Sequence, residues 1–222
     1  MAIEVETKDC TQLGDAELAE MADLSAASPH AFEIGMLSKQ AEAWVLVTEA
    51  RDGTRLKGFS FCTLERIGGT PCVLLGAASI ARNAKRDTVL RAIIADQMRR
   101  AVLAFPDEDV LFGARFNAPD AFEAFRSLHD VIPRPGHKAS GEERAWGRRL
   151  AKRFGIPPTR YEDRAFIARG QGARPVVFDH ESLKPEKLDP ELAELFAGLD
   201  VDAGDTLIAC GWAMAEDLEK YL

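Results

Sequence analysis

Apolar and polar residues alternate over Ile3–Thr7, as they do on a short strand, and then the period changes. Leu18, Met21 and Leu24 recur at i, i+3, i+6, which predicts a helix with Asp15 as its cap. Phe32, Met36 and Leu37 carry the same spacing and predict a second helix after Pro29. The run "AWVLVTEA" returns to a strand. Asp52-Gly53 predicts a tight hairpin, because Gly and Asp tolerate the positive φ that a two-residue turn demands. "RLKGFSFCTLERI" is then the returning strand, "GGTP" the next turn, and Cys72–Ala81 a further strand. From Thr88 the apolar positions Val89, Leu90, Ile93, Ile94, Met98, Ala101, Val102 and Phe105 fall on one helical stripe, which Pro106 ends. Val110–Phe116 is a strand again. "NAPDAFEAFRSL" is predicted as a helix opened by Asn117 or Asp120, with Pro119 in its first turn. The order β, α, α, β, β, β, α, β, α predicts an α/β fold built on a mixed sheet.

After Leu128 the pattern shifts. Trp146, Leu150 and Phe154 recur at i, i+4, i+8 among seven cations between Arg134 and Arg153, so Glu142–Phe154 is predicted as a cationic amphipathic helix. Residues 179–222 invert that balance, with twelve acidic residues and three lysines. The simplest expectation is that the helix's charges are answered by this acidic tail. The alternative is a docking surface for an acidic partner. Ala165–Ala168 and "DTLIACGWAM" are predicted strands, "DPELAELFAGL" and "AEDLEKYL" helices. No internal repeat appears. The expected organisation is one domain over 1–222, with a core of about 1–128 and a C-terminal elaboration over about 129–222.

Composition narrows the functions. The net charge is -8 and the pI about 5.1, so nucleic acid is not an expected partner. No apolar run is long enough for a membrane span, and "MAIEVETKDC" lacks the pattern of a signal peptide. Cys10, Cys62, Cys72 and Cys210 show no metal-ligand spacing and are expected as buried, reduced thiols, consistent with a cytoplasmic protein. The histidines are scattered, and no metal site is expected.

The remaining chemistry lies in "SIARNAKRDTVLRAII", where a strand end, a cationic loop and a helix start follow one another. Helix N-termini favour anions, and Arg82, Lys85 and Arg86 add charge. Asp87 opposes an anion and is placed to cap the helix.

Three segments in this order resemble the GNAT superfamily, the acyl-CoA N-acyltransferases: "RDGTRLKGFSF", "LLGAASIARNAKRDTVLRAII" and "VLFGARFNAPDAFEAF". The resemblance implies a GNAT-like fold in which the strands Cys72–Ala81 and Val110–Phe116 run parallel and splay apart around a coenzyme A thioester. The donor would be acetyl-CoA or a longer acyl-CoA, with a carrier-protein thioester as a variant. The acceptor would be an amine on a small molecule or peptide, and a homodimer is compatible with this reading. Ala78, Ser79, Ile80, Arg82, Lys85, Arg86, Thr88 and Asn117 are the implied cofactor-binding residues. The family loop reads Gln/Arg-x-x-Gly-x-Gly/Ala. Arg82 holds the first position, while Lys85 and Asp87 stand where the glycines would be. Phe125 is the aromatic residue nearest the place of the family's tyrosine acid. Glu65, Glu49 and His129 are the remaining candidates for proton transfer. These departures leave a second reading, a GNAT-like binding or regulatory module without catalysis.

Overall fold

The computed structural model describes residues 3–29, 31–173 and 175–222. One mixed sheet carries the molecule. Strands β1 (Glu4–Asp9), β2 (Leu46–Asp52), β3 (Arg55–Ile67), β4 (Thr70–Ile80) and β5 (Val110–Phe116) follow in spatial order. Beyond β5 lies β10 (Thr206–Ala213), which pairs also with β6 (His129–Ile132), then β8 (Ile167–Ala168) and β7 (Tyr161–Glu162). A short strand β9 (Phe178–Asp179) pairs with β4 alone. The region after residue 128 therefore supplies an inner strand of the sheet.

Local chemistry accounts for the hairpins. The β2–β3 turn is Gly53-Thr54, closed by Asp52↔Arg55, and Gly53 takes φ 61°. Asp52 itself remains in the strand. The β3–β4 turn is Gly68-Gly69, with φ 61° and 92°, so both central residues sit where only glycine is unstrained.

Helix α3 (Arg86–Ala104) covers one face and buries Val89, Leu90, Ile93, Ile94, Met98, Ala101 and Val102. Burial of the large ones stabilises the fold by about 1.5–3 kcal/mol each. The helix begins at Arg86, two residues before the predicted start, and Lys85 is its N-cap. Asp87 does not cap it; its carboxylate accepts the Leu183 N–H instead.

Helices α1 (Asp15–Ser25) and α2 (Ile34–Ala43) cover the other face, where Leu18, Met21, Phe32 and Leu37 pack with Phe59, Phe61 and Ala77. The cap of α1 is Gly14 rather than Asp15: Glu17 reaches back to accept the Gly14 N–H at 3.0 Å. Residues Pro119–Phe125 form a 3-10 helix, not the predicted α-helix. Its ring contacts with Phe116 place Phe122 and Phe125 in the core.

Helix α4 (Gly141–Arg153) opens with a reciprocal Ser140–Glu143 cap. Its cations are not answered by the acidic tail. Arg153 pairs with Glu65 at 2.6 Å, Arg148 with Asp163 at 2.8 Å, and Arg149 lies over the Trp146 ring. The tail's first acids go elsewhere, to Arg82 and Arg86. The four thiols are buried and free. Burial pushes Cys10 and Cys62 up to about 12 and Cys72 up to about 11, so they are unreactive at neutral pH. No helix is long and apolar enough to cross a membrane.

Asp205 ties the elaboration together. Its carboxylate accepts the Gly170 N–H at 2.8 Å, the Asp200 N–H at 3.1 Å and Arg169 Nη1 at 2.5 Å. Burial raises its pKa, but these donors outweigh it and hold the group below its ordinary 3.8. A lowered folded value means that this stabilisation is complete above about pH 4 and is lost as pH falls through the folded pKa. Asp205→Asn is expected to cost about 1–3 kcal/mol at pH 7 and to flatten the acid limb of a stability–pH curve measured by urea titration. An unchanged acid limb would show that the carboxylate contributes nothing.

Candidate functional site

Strands β4 and β5 run parallel through three residue pairs, Cys72↔Leu111, Val73↔Phe112 and Leu74↔Gly113, and then separate. This is the layout that the acyltransferase resemblance implied. Where they part, β4 carries a bulge: Ser60↔Ala78 and Cys62↔Leu75 leave one extra residue on β4. A bulge bends its strand and re-aims the side chains beside it. At this bulge Gly76 lies under the Trp44 indole, and a Cβ on Gly76 would fall 2.4 Å from Trp44 Cε2.

The opening between the strands is filled by the chain itself. Residues 176–183 form a strap, and its strand β9 runs parallel to β4 through Ala78↔Phe178 and Ser79↔Asp179. The Ala78 N–H donates to Val177 O at 3.2 Å. Phe178 is fully buried, with its ring centroid 6.0 Å from that of Phe116. The β4 backbone that the resemblance assigned to a thioester thus faces a peptide segment of this chain.

The cationic loop is also engaged by the strap. Arg82 grips the Asp179 carboxylate with two hydrogen bonds of 3.0 Å and reaches Glu181 Oε2 at 3.1 Å. Burial alone would lower the Arg82 pKa, but the Asp179 charge outweighs it and holds the guanidinium above its ordinary value. Arg86 donates to Glu181 O at 2.7 Å and Ser182 O at 2.9 Å, and its Nη2 lies 3.0 Å from Glu181 Oε1. Asp87 accepts the Leu183 N–H at 3.0 Å, and Asp120 accepts that of Ser182 at 2.8 Å. His180 is buried with Nε2 3.0 Å from Glu123 Oε2. Lys85 points away, to Asp52 at 2.9 Å. Two carboxylates and a run of peptide groups thus occupy the cations of this loop.

On the α2 and α4 side of the sheet, next to the bulge, lies a cavity of about 250 Å³. Gln40, Trp44, Leu75, Gly76, Arg115 and Phe154 line it, together with Arg153 and the strap residues Val176 and Val177. Gln40 accepts the indole N–H of Trp44 at 3.0 Å, which fixes the ring over Gly76. The next strap residue, Phe178, is already in the cleft, so the strap forms a partition between cleft and cavity.

No family model matches the chain, and no curated protein matches it. Several solved structures are similar to it. They include an IAA acetyltransferase from Bacillus cereus ATCC 14579, at 8% identity and TM-score 0.46, covering 96% of this chain and 100% of that one. The ribosomal-protein-S18-alanine N-acetyltransferase from Escherichia coli matches at 9% identity and TM-score 0.42, over 63% of this chain and 87% of that one. A GNAT family acetyltransferase from Brucella melitensis, in complex with acetyl-CoA, matches at 15% identity and TM-score 0.35, over 49% and 75%.

The residues singled out from the sequence separate into groups. Ala78, Ser79, Arg82 and Arg86 gather at the strap, while Ile80 pairs with Gly58 on the β3 side. Thr88 sits in the first turn of α3, and Asn117 is buried at the exit of β5. Glu65 is bound to Arg153, and Glu49 is buried against Arg51 and Lys8. His129 lies exposed at 2.7 Å from Asp217, away from the cleft. Sequence reasoning missed Asp179, Glu181, Trp44, Gly76 and Arg115. Arg115 carried a signal: it is the one charged residue within the strand "VLFGARF".

Proposed function

We propose that this chain is an N-acyltransferase of GNAT type, moving an acyl group from a coenzyme A thioester to an amine, with its donor cleft held shut by the strap. The observation that carries this reading is the splayed β4–β5 pair, bulged at Gly76, with a cationic loop on one side and a formed cavity on the other. Donor and acceptor would meet at the bulge. The backbone of Ala78, Ser79 and Ile80 would face the thioester. Arg82, Arg86, Thr88 and Asn117 would face the rest of the donor, while Lys85, turned to Asp52, would not. As folded, these groups do not fit coenzyme A, because Asp179, Glu181 and β9 stand in its place. Donor binding therefore requires the strap to leave.

A second reading is favoured by one observation, the complete burial of Phe178 against Phe116. If the strap never leaves, the domain is a non-catalytic binding module.

Calorimetric titration with coenzyme A and acetyl-CoA separates the two. Charge-assisted hydrogen bonds are worth about 1.5–3 kcal/mol each. Asp179→Asn with Glu181→Gln removes the strap's charge and should tighten coenzyme A binding by at least about tenfold over wild type, which is about 1.4 kcal/mol. High salt should reduce the gain. If neither protein binds at millimolar ligand while the double variant keeps its circular dichroism, the loop is no donor site and the module reading holds.

A further inference from the structure

Arg115 lines the cavity and is half-buried. Among the described residues no carboxylate pairs with it, and none makes a hydrogen bond to its guanidinium. The charge it meets is of the same sign, that of Arg160, whose own Nε is buried without a partner. Other half-buried arginines near the sheet are answered by carboxylates: Arg82 by Asp179, Arg51 by Glu20 and Glu49, Arg153 by Glu65. Burial, reinforced by the Arg160 charge, draws the Arg115 pKa down to about 10, which leaves it a cation at neutral pH. A half-buried charge that has given up part of its water and met no partner is destabilising until something answers it.

The walls around Arg115 describe what would offset it. Trp44, Leu75, Phe154 and Val177 are apolar, and the Trp44 and Phe154 rings stand 6.3 Å apart, inclined at 47°. Arg153 also lines the cavity, but Glu65 already neutralises it. One net positive charge therefore faces the space, and its planar fork matches a carboxylate. At about 250 Å³ the cavity holds a single small ring or a short branched chain beside that charge.

We propose that this cavity binds a small organic monocarboxylate with an apolar body, its carboxylate on Arg115 and its body against Trp44 and Phe154. The binding itself needs no donor and no open strap. Only the further step, that the bound molecule is the acyl acceptor, rests on the transfer reading; the acceptor would then be an amino acid or a related carboxylated amine.

The test uses the full chain without coenzyme A and three probes, phenylacetate, its neutral counterpart phenylacetamide, and inorganic phosphate, by calorimetry. Wild type should bind phenylacetate at least about tenfold more tightly than either of the others. Arg115→Gln should lose that preference and bind phenylacetate at least about tenfold more weakly. Its melting temperature without ligand should equal or exceed that of wild type, because an uncompensated charge is gone. Arg115→Lys, which keeps the charge and loses the fork, should fall between them and guards against misfolding of the first variant. Equal affinity for acid and amide, undiminished binding in Arg115→Gln, or no phenylacetate binding by wild type would each overturn the proposal. Because no thioester is present, these outcomes are independent of whether the chain transfers acyl groups. A failed transfer assay with intact phenylacetate binding would leave the cavity assigned and the reaction rejected.

Discussion

Phe178→Ala is expected to lower the unfolding free energy by about 3–5 kcal/mol, as phenylalanine-to-alanine changes do at fully buried sites. That is a large share of the 5–15 kcal/mol that a domain of ordinary stability holds. The ring sits between β4 and β5 against Phe116, which also packs with Phe122 and Phe125. Removing it leaves an apolar gap with two possible fates. If Arg82 and Arg86 still hold Asp179 and Glu181, the strap stays and the full cavity cost appears in chemical denaturation. If they do not hold it, the strap lifts off, the global loss is smaller, and the strap becomes a cleavage site for a glutamate-specific protease at Glu181 under native conditions. Combining Phe178→Ala with Asp179→Asn distinguishes the two, since the double variant releases both the ring and the charge. Coenzyme A affinity should rise with cleavage susceptibility if the strap gates the donor. A loss below about 1 kcal/mol with no new cleavage would mean that the ring does not fill the cleft.

The framework of the fold was legible because it rests on local signals. The glycines of the two hairpins, the stripe on α3 and the alternation of β2 mark their elements without help from distant residues. The parallel β4–β5 pair was implied by the family resemblance, and the helix between the two strands supplies the crossover that parallel neighbours require. The strap was not legible for a physical reason. A two-residue strand has no period, and Asp179 and Glu181 look in sequence like the solvated beginning of an acidic tail. Their partners Arg82 and Arg86 lie about a hundred positions earlier, and no local pattern joins them. The same distance misled the reading of α4, whose cations are satisfied by Glu65 and Asp163 instead of the tail. The segment 119–125 kept its apolar content and lost its α-helical geometry. Its aromatic side chains gain more from packing on Phe116 than from a regular turn, and local propensity is weak against such burial. Arg115 stood in plain view inside an apolar strand. Its lack of a counter-ion, however, is a property of the whole fold, since only tertiary packing decides which carboxylates come near.

Gly76→Val is expected to close the cavity and to destabilise the fold together. A Cβ at this position would fall 2.4 Å from Trp44 Cε2, 2.7 Å from Cζ2 and 2.8 Å from Nε1. Real Cβ atoms do not approach ring atoms so closely, so the indole must move. It is held by its hydrogen bond to Gln40 and by Phe154, and displacing it breaks the first contact and loosens the second. Overpacking of this kind costs about 1–3 kcal/mol, and a β-branched side chain on the bulge lies at the upper end of that range. The companion variant is Trp44→Phe, which removes the indole N–H and much of the clash. Phenylacetate binding should vanish in Gly76→Val, because the indole swings into the space the ligand needs. It should return in part in Gly76→Ala/Trp44→Phe, where a smaller ring leaves room. Tryptophan fluorescence reads the displacement directly, since Trp44 leaves its place over Gly76 and beside Gln40 and its emission shifts; Trp146 and Trp212, edge to face at 6.1 Å, provide the unchanged background. Retained phenylacetate affinity in Gly76→Val, with an unshifted emission, would show that Trp44 does not rest on the bulge, and the wall of the proposed carboxylate site would then have to be redrawn without it.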